Sequence, residues 1–508
     1  MKRFYDTAFV SRLFCLLSGA VFSLSFRFEE AFIAVFPALV LFFLIWEKKE
    51  KGRFLSAYLF FAGWLLCLYT WFSALYPLSV YGLSNGASFA VTAFCCVGIP
   101  LLQAAIYAGV FQLARLFPKE RPVLRALGFG ALWVVTEWLL SLGPFAFPWG
   151  SVALTMTGAM PLLQTVSVWG VYGLCFAVVF VCALTAEGIC FGKRKLCLSA
   201  AGVLAGCVAL GSVLWVFPKK ENKIVSVALV QGNVTTEEKW TSEMVADVYR
   251  TYTSMTKEAA ENGAALVVLP ESAIAVNFYE GGPLHRAIAD ITKEYGCTVI
   301  LGVLQVREGE THNGLVAVSP DGSVSNLYEK RHLVPFGEYL PFEKQLVSLF
   351  PALSVLEEAG DSLVAEKTEA VLETDKWKFG CFICYDSVFT GKDRAVPDSD
   401  FSVLATNDSW FKTSSGIYEH LRFAKLRAVE SGKTVLRSAN TGISAVIDGK
   451  GKVLAKTEPM EKEILYLDAP YGKGKTVYAV LGDFAVVLAG IYLIAYIIIF
   501  GVKRRKRK

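Results

Sequence analysis

Seven apolar stretches fill the first 217 residues, at 8–26, 31–46, 54–75, 88–113, 123–142, 161–187 and 196–217. About 20 mostly apolar residues cross a bilayer core as a helix, so this half of the chain cannot form a water-soluble globule. A mean hydropathy of +0.46 agrees. An eighth stretch runs from 477 to 502. The first stretch follows Lys2 and Arg3, as a signal peptide would, but six more succeed it and no small-residue cleavage site is evident. It reads as a retained helix.

Between the seventh and eighth stretches the composition changes. Only eight of the 45 acidic residues precede residue 218, so the other 37 belong to the remainder. The net charge of +5 does not mark a polyanion partner, because the tail Lys503-Arg504-Arg505-Lys506-Arg507-Lys508 holds six of the 50 basic residues and leaves 44 against 45. Nucleic acid is therefore not the expected partner. Of twelve cysteines, nine lie in apolar runs, where a thiol is a small hydrophobe. With only Cys297, Cys381 and Cys384 in the polar part and four histidines in all, neither a disulfide framework nor a metal site is expected.

Orientation follows from the short loops. Lys48, Lys49, Lys51 and Arg53 lie in the second, Arg115, Lys119, Arg121 and Arg125 in the fourth, and Lys193, Arg194 and Lys195 in the sixth, whereas the first, third and fifth share one arginine, Arg27. The basic loops belong inside. This gives residues 1–217 as a seven-helix transmembrane domain with a cytoplasmic N-terminus, 218–475 as an extracytoplasmic domain, 476–502 as an eighth helix and 503–508 as a basic cytoplasmic tail. The polar domain alternates β-rich runs (Ile224–Gln231, Ala265–Pro270, Thr298–Val306, Gly314–Ser319, Phe379–Tyr385, Val403–Asn407, Thr434–Ala439, Ile464–Asp468) with helical ones near 238–261 and 417–431. An α/β fold, layered α-β-β-α, is the expectation.

Three reactive side chains stand where apolar runs end: Val267-Val268-Leu269-Pro270 leads to Glu271, Asn326-Leu327-Tyr328-Glu329 to Lys330, and Phe379-Gly380-Cys381-Phe382-Ile383 to Cys384. Singly, each has a plain explanation as a solvated carboxylate, a surface lysine or a core thiol. Together they supply a nucleophile, a base to take its proton and a cation for a developing oxyanion. Cys381 and Cys384 also spell a redox or half-metal motif, but on an alternating apolar strand residues three apart point to opposite faces, so Cys381 is expected in the core and Cys384 exposed.

Pro270-Glu271-Ser272, the run Tyr328 to Tyr339 and Ile383-Cys384-Tyr385-Asp386 resemble the catalytic signatures of the nitrilase superfamily, in the same order. With Gln231-Gly232-Asn233, Trp240, the run Asn407 to Phe411, the run Arg427 to Gly442 and Phe147-Pro148-Trp149, the whole chain is similar to the apolipoprotein N-acyltransferase family. That resemblance implies a nitrilase-like α-β-β-α sandwich on a multi-pass membrane domain in a bacterial inner membrane, with no cofactor. It implies Glu271 as general base, Lys330 as oxyanion stabiliser and Cys384 as the thioester-forming nucleophile. Glu338 would be a second active-site glutamate, Tyr385 a neighbour of the nucleophile, Asn407 a supporting residue, and Trp240 and Trp410 aromatic positions on surrounding loops. Where the family commonly has glutamate two residues after the cysteine, this chain has Asp386.

The implied reaction moves an acyl chain from a phospholipid, typically phosphatidylethanolamine, to the α-amino group of a diacylglyceryl-cysteine apolipoprotein, with the enzyme acting as a monomer. Extracting either partner into water would cost about 0.8 kcal/mol per CH₂, so anchoring in the bilayer is part of the mechanism. One cysteine serving two substrates in turn predicts ping-pong kinetics. The apolar run Leu346–Leu353, with Trp240 and Trp410, reads either as a shield for the thioester or as ordinary loop packing. Glu137, near the outer end of the fifth stretch, likewise has two readings. It positions a lipid headgroup or the polar domain together with Phe147 and Trp149, or it simply reaches water. Competing functions are a membrane-tethered amidase, in which water replaces the amine, and a catalytically silent lipoprotein-binding module. Sparse ionisable residues in the spans argue against an ion-coupled carrier.

Overall fold

The computed structural model describes residues 8–48, 51–79, 82–217, 223–235, 238–239, 244–349, 363–365, 369–391, 396 and 398–505. Two compact units emerge: residues 1–73, 90–217 and 481–508 form one, and residues 74–89 and 218–480 the other.

The first unit is helical. Its principal helices are α1 (Ala8–Arg27), α2 (Val35–Lys48), α3 (Arg53–Leu68), α4 (Ile99–Phe111), α5 (Pro122–Leu139), α6 (Val166–Cys190) and α7 (Arg194–Val216). Counting the short helical turns continuous with them, six segments among the described residues are long and apolar enough to cross a membrane: 8–27, 29–48, 53–75, 85–116, 166–190 and 194–216. Helix α5 is the less apolar fifth, because Arg125 and Glu137 both lie on it. Both are buried. Arg125 meets Glu47 at 2.5 Å and Glu187 at 3.4 Å, so the charges inside this unit offset one another.

The second unit holds two six-stranded sheets. One comprises β1 (Lys223–Gln231), β2 (Leu266–Val268), β3 (Thr298–Arg307), β4 (Glu310–Val318), β5 (Tyr328–Glu329) and the late strand β12 (Glu463–Tyr471), in the order β12-β1-β2-β3-β4-β5. The other runs β11-β10-β9-β8-β7-β6, made of β6 (Val371–Glu373), β7 (Lys378–Ile383), β8 (Phe401–Thr406), β9 (Val435–Ala439), β10 (Ala445–Ile447) and β11 (Val453–Lys456). Alternation along the strands fixes the layering. Val227, Leu229, Leu266 and Val268 face Phe379, Cys381, Ile383, Phe401 and Val403 in a core shared by the two sheets. Ala228, Val230 and Val267 point the other way, onto α8 (Val245–Glu261) and α9 (Pro283–Tyr295). Strands buried on both faces carry no polar alternation, which is why Leu266-Val267-Val268 is uniformly apolar.

Helix α10 (Gly416–Ser431) packs on the second sheet, completing four layers. The eighth apolar stretch is not one helix. A short helix, Val477–Leu481, belongs mostly to the second unit, and α11 (Phe484–Arg505) starts after the left-handed Gly482. Helix α11 packs on α5, with Tyr492 donating to the Leu124 carbonyl at 2.5 Å. Part of the apolar run expected as a loop is also helical, from Glu343 to Leu349, and the rest of it lies outside the described residues.

Candidate active site

Glu271, Lys330 and Cys384 each follow a strand, as the sequence suggests, but Cys384 departs from expectation in one respect. The strand ends at Ile383, and Cys384 opens a tight turn, Cys384–Val388, with φ at 46°. A non-glycine residue in that left-handed region is strained by roughly 1–3 kcal/mol, and the strain swings the thiol out of the sheet. Cys381, on the strand and fully buried, stays in the core, whereas Cys384 is partly accessible.

Glu271 is approached by donors from both sheets. Its Oε1 accepts from Lys330 Nζ at 2.8 Å and Asn313 Nδ2 at 2.8 Å, and its Oε2 accepts from the main-chain N–H of Asn407 at 2.9 Å. The loop carrying it crosses β3 at Gly302, where any Cβ would collide with the Pro270 carbonyl and the Ser272 nitrogen. Lys330 is pinned from the other side by Glu338 Oε1 at 2.6 Å, and Glu338 Oε2 accepts from the Val334 N–H at 2.8 Å.

Opposed effects set the ionisation of these groups. Burial pushes Glu271 up, but the Lys330 ammonium and the donors around it outweigh burial and leave it below the ordinary carboxylate value. Glu338 is raised, because burial and the negative charge of Glu271 exceed what Lys330 returns. Lys330 resists its own burial and lies well above an ordinary lysine, since two carboxylates face it. Cys384 is held up as a thiol by burial and by Glu271. The cluster therefore holds an ionised carboxylate, a fixed cation and an unionised thiol.

Asp386 is fully buried and turned away from this chemistry. Its Oδ2 accepts from the Tyr328 hydroxyl at 2.7 Å and the Ile383 N–H at 3.2 Å, and its Oδ1 from the His332 N–H at 2.8 Å. The carboxylate thereby fastens the turn at Cys384 to the segment around Lys330. Tyr385 is buried edge-on against Phe389, at 5.2 Å between ring centres. Asn407 contributes its main chain to Glu271, and its side-chain oxygen accepts from Asn440 at 3.0 Å. Trp410 lies half-buried on the turn Asp408–Phe411, next in chain to this region. Trp240 lies outside the described residues.

Glu137, Phe147 and Trp149 belong to the first unit and are built into its packing. Glu137 does not reach water. It is buried, and accepts from Trp133 Nε1 at 2.9 Å, the Val152 N–H at 3.0 Å and the Ser151 hydroxyl at 2.9 Å. Phe147 and Trp149 stack at 5.9 Å within an aromatic group that includes Trp71 and Phe72.

Two site residues escape a reading of the sequence. Asn313 is a polar side chain inside the buried strand β4, an anomaly visible in the pattern. Lys239, just before Trp240, is buried and donates to the Glu271 carbonyl at 3.1 Å. Burial pulls it down to about 8 although Glu271 and Cys384 oppose this. For a metal, the one cluster among the described residues with three ligand types is Cys384, Asp408 and His420, whose ligand atoms lie within 4.8 Å of one another. Both Asp408 oxygens are already engaged, one by Arg437 at 2.6 Å and the other by Thr406 and His420. A cation there would meet the Arg437 guanidinium, so the arrangement is an ion-pair network and not a metal centre.

Comparison with known proteins assigns both units. Residues 18–184 match the apolipoprotein N-acyltransferase N-terminal domain, and residues 226–474 match the carbon-nitrogen hydrolase family. The chain belongs to the apolipoprotein N-acyltransferase family. The relative from Haemophilus influenzae is 29% identical over 97% of this chain and 95% of its own length. That from Methylococcus capsulatus is 29% identical over 95% of each, and that from Geobacter metallireducens 27% identical over 93% and 91%. Among solved structures, a CN-hydrolase superfamily protein from Xanthomonas campestris aligns with 49% of this chain and 91% of its own, at 20% identity and a TM-score of 0.37.

Proposed function

We propose that this protein is an apolipoprotein N-acyltransferase that moves a fatty acyl chain from a membrane phospholipid to the N-terminal amine of a diacylglyceryl-cysteine lipoprotein, with Cys384 holding the chain between the two steps. The observation that carries the reading is the Glu271–Lys330 pair at 2.8 Å, from one sheet, with Glu271 also held by the Asn407 N–H of the other sheet, where β8 lies beside the strand that ends at Cys384, in a chain that also has the family's membrane domain. In the first step Glu271 takes the thiol proton as sulfur attacks the phospholipid ester carbonyl. The oxyanion forms beside Lys330, and the proton passes to the departing lysophospholipid alkoxide. In the second step Glu271 accepts a proton from the attacking amine, the C–S bond breaks, and the thiol returns with an amide as product. The kinetics are ping-pong.

Glu338 keeps Lys330 in place, and Asn313 and the Asn407 N–H aim Glu271. Phosphatidylethanolamine is the proposed donor, the monomer the working unit, and Trp410 an aromatic wall near the acyl chain. The second unit is extracytoplasmic, both termini are cytoplasmic, residues 1–217 act as membrane domain and 218–475 as catalytic domain, and within 476–502 the returning helix is α11, which starts at Phe484 and leads into the basic tail 503–508, consistent with where the loop lysines and arginines lie.

Purified protein incubated with phosphatidylethanolamine alone should gain one acyl mass on Cys384, and an added diacylglyceryl peptide should discharge it as N-acyl product. Free fatty acid as the sole product would establish a hydrolase instead. Protease treatment of intact spheroplasts should cleave within 218–475, and resistance there with a cleaved tail would reverse the orientation.

A further inference from the structure

A second polar network lies behind the nucleophile, and the transfer steps do not draw on it. His420, on α10, is 1% exposed. Its Nδ1 lies 2.8 Å from Asp408 Oδ1, and its Nε2 lies 3.0 Å from Ser387 Oγ and 3.2 Å from the main-chain oxygen of Cys384. Asp408 is fixed in turn. Arg437 Nη2 donates to its Oδ2 at 2.6 Å, the Thr406 hydroxyl donates to its Oδ1 at 2.9 Å, and Arg437 is itself anchored by donating from Nε to the Ile443 carbonyl at 3.1 Å. Phe411 closes over the imidazole at 5.8 Å. Every polar member but Cys384 is buried.

An ion pair sealed from water loses hydration that its attraction does not fully return, so it is weak as a source of stability. Such a pair is useful as a rigid mount. The group that needs one is Cys384, whose φ of 46° must be imposed by its surroundings. Its carbonyl is the handle. The Ser387 hydroxyl bonds it at 2.8 Å, but Ser387 belongs to the same turn and moves with it. His420 is the contact that reaches this carbonyl from another layer of the fold.

We infer that His420 is a positioning residue for the nucleophile: its ring transmits the rigidity of the Asp408–Arg437 pair to the Cys384 carbonyl and so keeps Sγ directed at the acyl carbon. The inference rests on Cys384 being the nucleophile.

The two ring nitrogens have different tasks, and two substitutions separate them. His420→Asn places an amide near Nδ1, keeping the Asp408 contact and losing Cys384. His420→Gln places it near Nε2, keeping Cys384 and losing Asp408. The measurement is the initial rate of acyl-adduct formation on Cys384 with phosphatidylethanolamine, by intact-protein mass spectrometry, alongside the melting midpoint in detergent. Misplacing a reacting atom by about 1 Å costs about 10²-fold. That loss is expected in His420→Asn at unchanged phospholipid KM, with His420→Gln within about tenfold of wild type.

Equal rates in His420→Asn and wild type overturn the inference, and so does a His420→Gln slower than His420→Asn, because the direct link to the Cys384 carbonyl would then not be the one that positions the thiol. Should neither variant melt cooperatively, Ser387→Ala is read instead: slower acylation at an unchanged melting point supports positioning through the carbonyl, and an unchanged rate overturns it. If wild type forms no adduct, the transferase reading falls and takes this inference with it. A wild-type adduct with an undiminished His420→Asn rate defeats the positioning role alone.

Discussion

Glu338 and Glu271 close on the same ammonium, at 2.6 and 2.8 Å from Lys330 Nζ, and their ionisation is driven apart, Glu338 upward and Glu271 downward. As pH falls from neutrality, Glu338 takes up its proton first while Glu271 stays ionised and able to accept the thiol proton. The pair titrates jointly, so the acid limb of the acylation profile reports both. A misplaced or absent general base costs roughly 10²–10⁴-fold. Glu271→Gln should fall at the upper end of that range and Glu338→Gln nearer the lower, in single-turnover acylation by phosphatidylethanolamine. Glu338→Gln should also remove the higher of two apparent acid-limb pKa values. Equal losses in the two variants would mean that the roles are not divided in this way.

Lys239 puts a second buried ammonium against the Glu271 carbonyl. Its folded value of about 8 lies below the ordinary 10.5, so between those two values the folded chain has shed a proton that the unfolded chain still holds. Stability therefore rises with pH across that window, and below about 8 the full penalty is present. Lys239→Met should melt higher than wild type at pH 7 and lose the rise at alkaline pH. Its acylation should slow as well, since a cation near the forming thiolate is gone, and Lys239→Arg should recover part of the rate. A lower melting point at pH 7 would contradict this account.

Asp386 shows why a shorter carboxylate is fitted here. Both its oxygens are taken up by Tyr328, Ile383 and His332 with no exposed surface, and the turn it closes is the one that presents Cys384. Lengthening it by one methylene overfills a packed site, at a cost of typically 1–3 kcal/mol. Asp386→Glu should lower the melting point and slow acylation together, and iodoacetamide should label Cys384 at an altered rate. An unchanged labelling rate and melting point would show that the turn has room to spare.

How much of this was legible beforehand depended on whether the signal was local. Leu266-Val267-Val268 and Phe379 to Ile383 announce strands because burial on both faces demands it. Helix α9 was equally readable, with Pro283 at its first turn and Leu284, Ile288 and Ile291 buried on one face, yet it is absent from the expected elements. Helix α10 was found, but its environment was not. Glu419, His420, Arg422, Lys425, Arg427 and Glu430 are all buried; Arg427 and Glu430 meet each other at 3.1 Å one turn apart, but His420 depends on Asp408 and the Cys384 carbonyl, which other segments bring to it. The same holds for Lys239 and Arg437, whose charges look solvated until the sheets bring Glu271 and Asp408 against them. The sequence predicts strand through Cys384 because it stays apolar through Ile383, whereas the contacts that impose the positive φ come from elsewhere in the fold.

Glu137 gives the membrane unit a test of its own. Its oxygens accept from Trp133, Val152 and Ser151, which ties α5 to the loop holding Phe147 and Trp149. Glutamine preserves this pattern, because its carbonyl can accept from Trp133 and Val152 while its amide donates to the Ser151 hydroxyl. Leucine leaves the buried Trp133, Val152 and Cys175 donors and the half-buried Ser151 hydroxyl without this acceptor, and each buried unsatisfied group costs about 1–3 kcal/mol. Glu137→Gln should therefore keep near-wild-type melting and transfer, whereas Glu137→Leu should melt earlier and become cleavable by protease within residues 143–151. A Glu137→Gln enzyme that is stable but inactive would instead show that the negative charge itself is needed, for a lipid headgroup or for the catalytic domain, and not merely the geometry that the charge maintains.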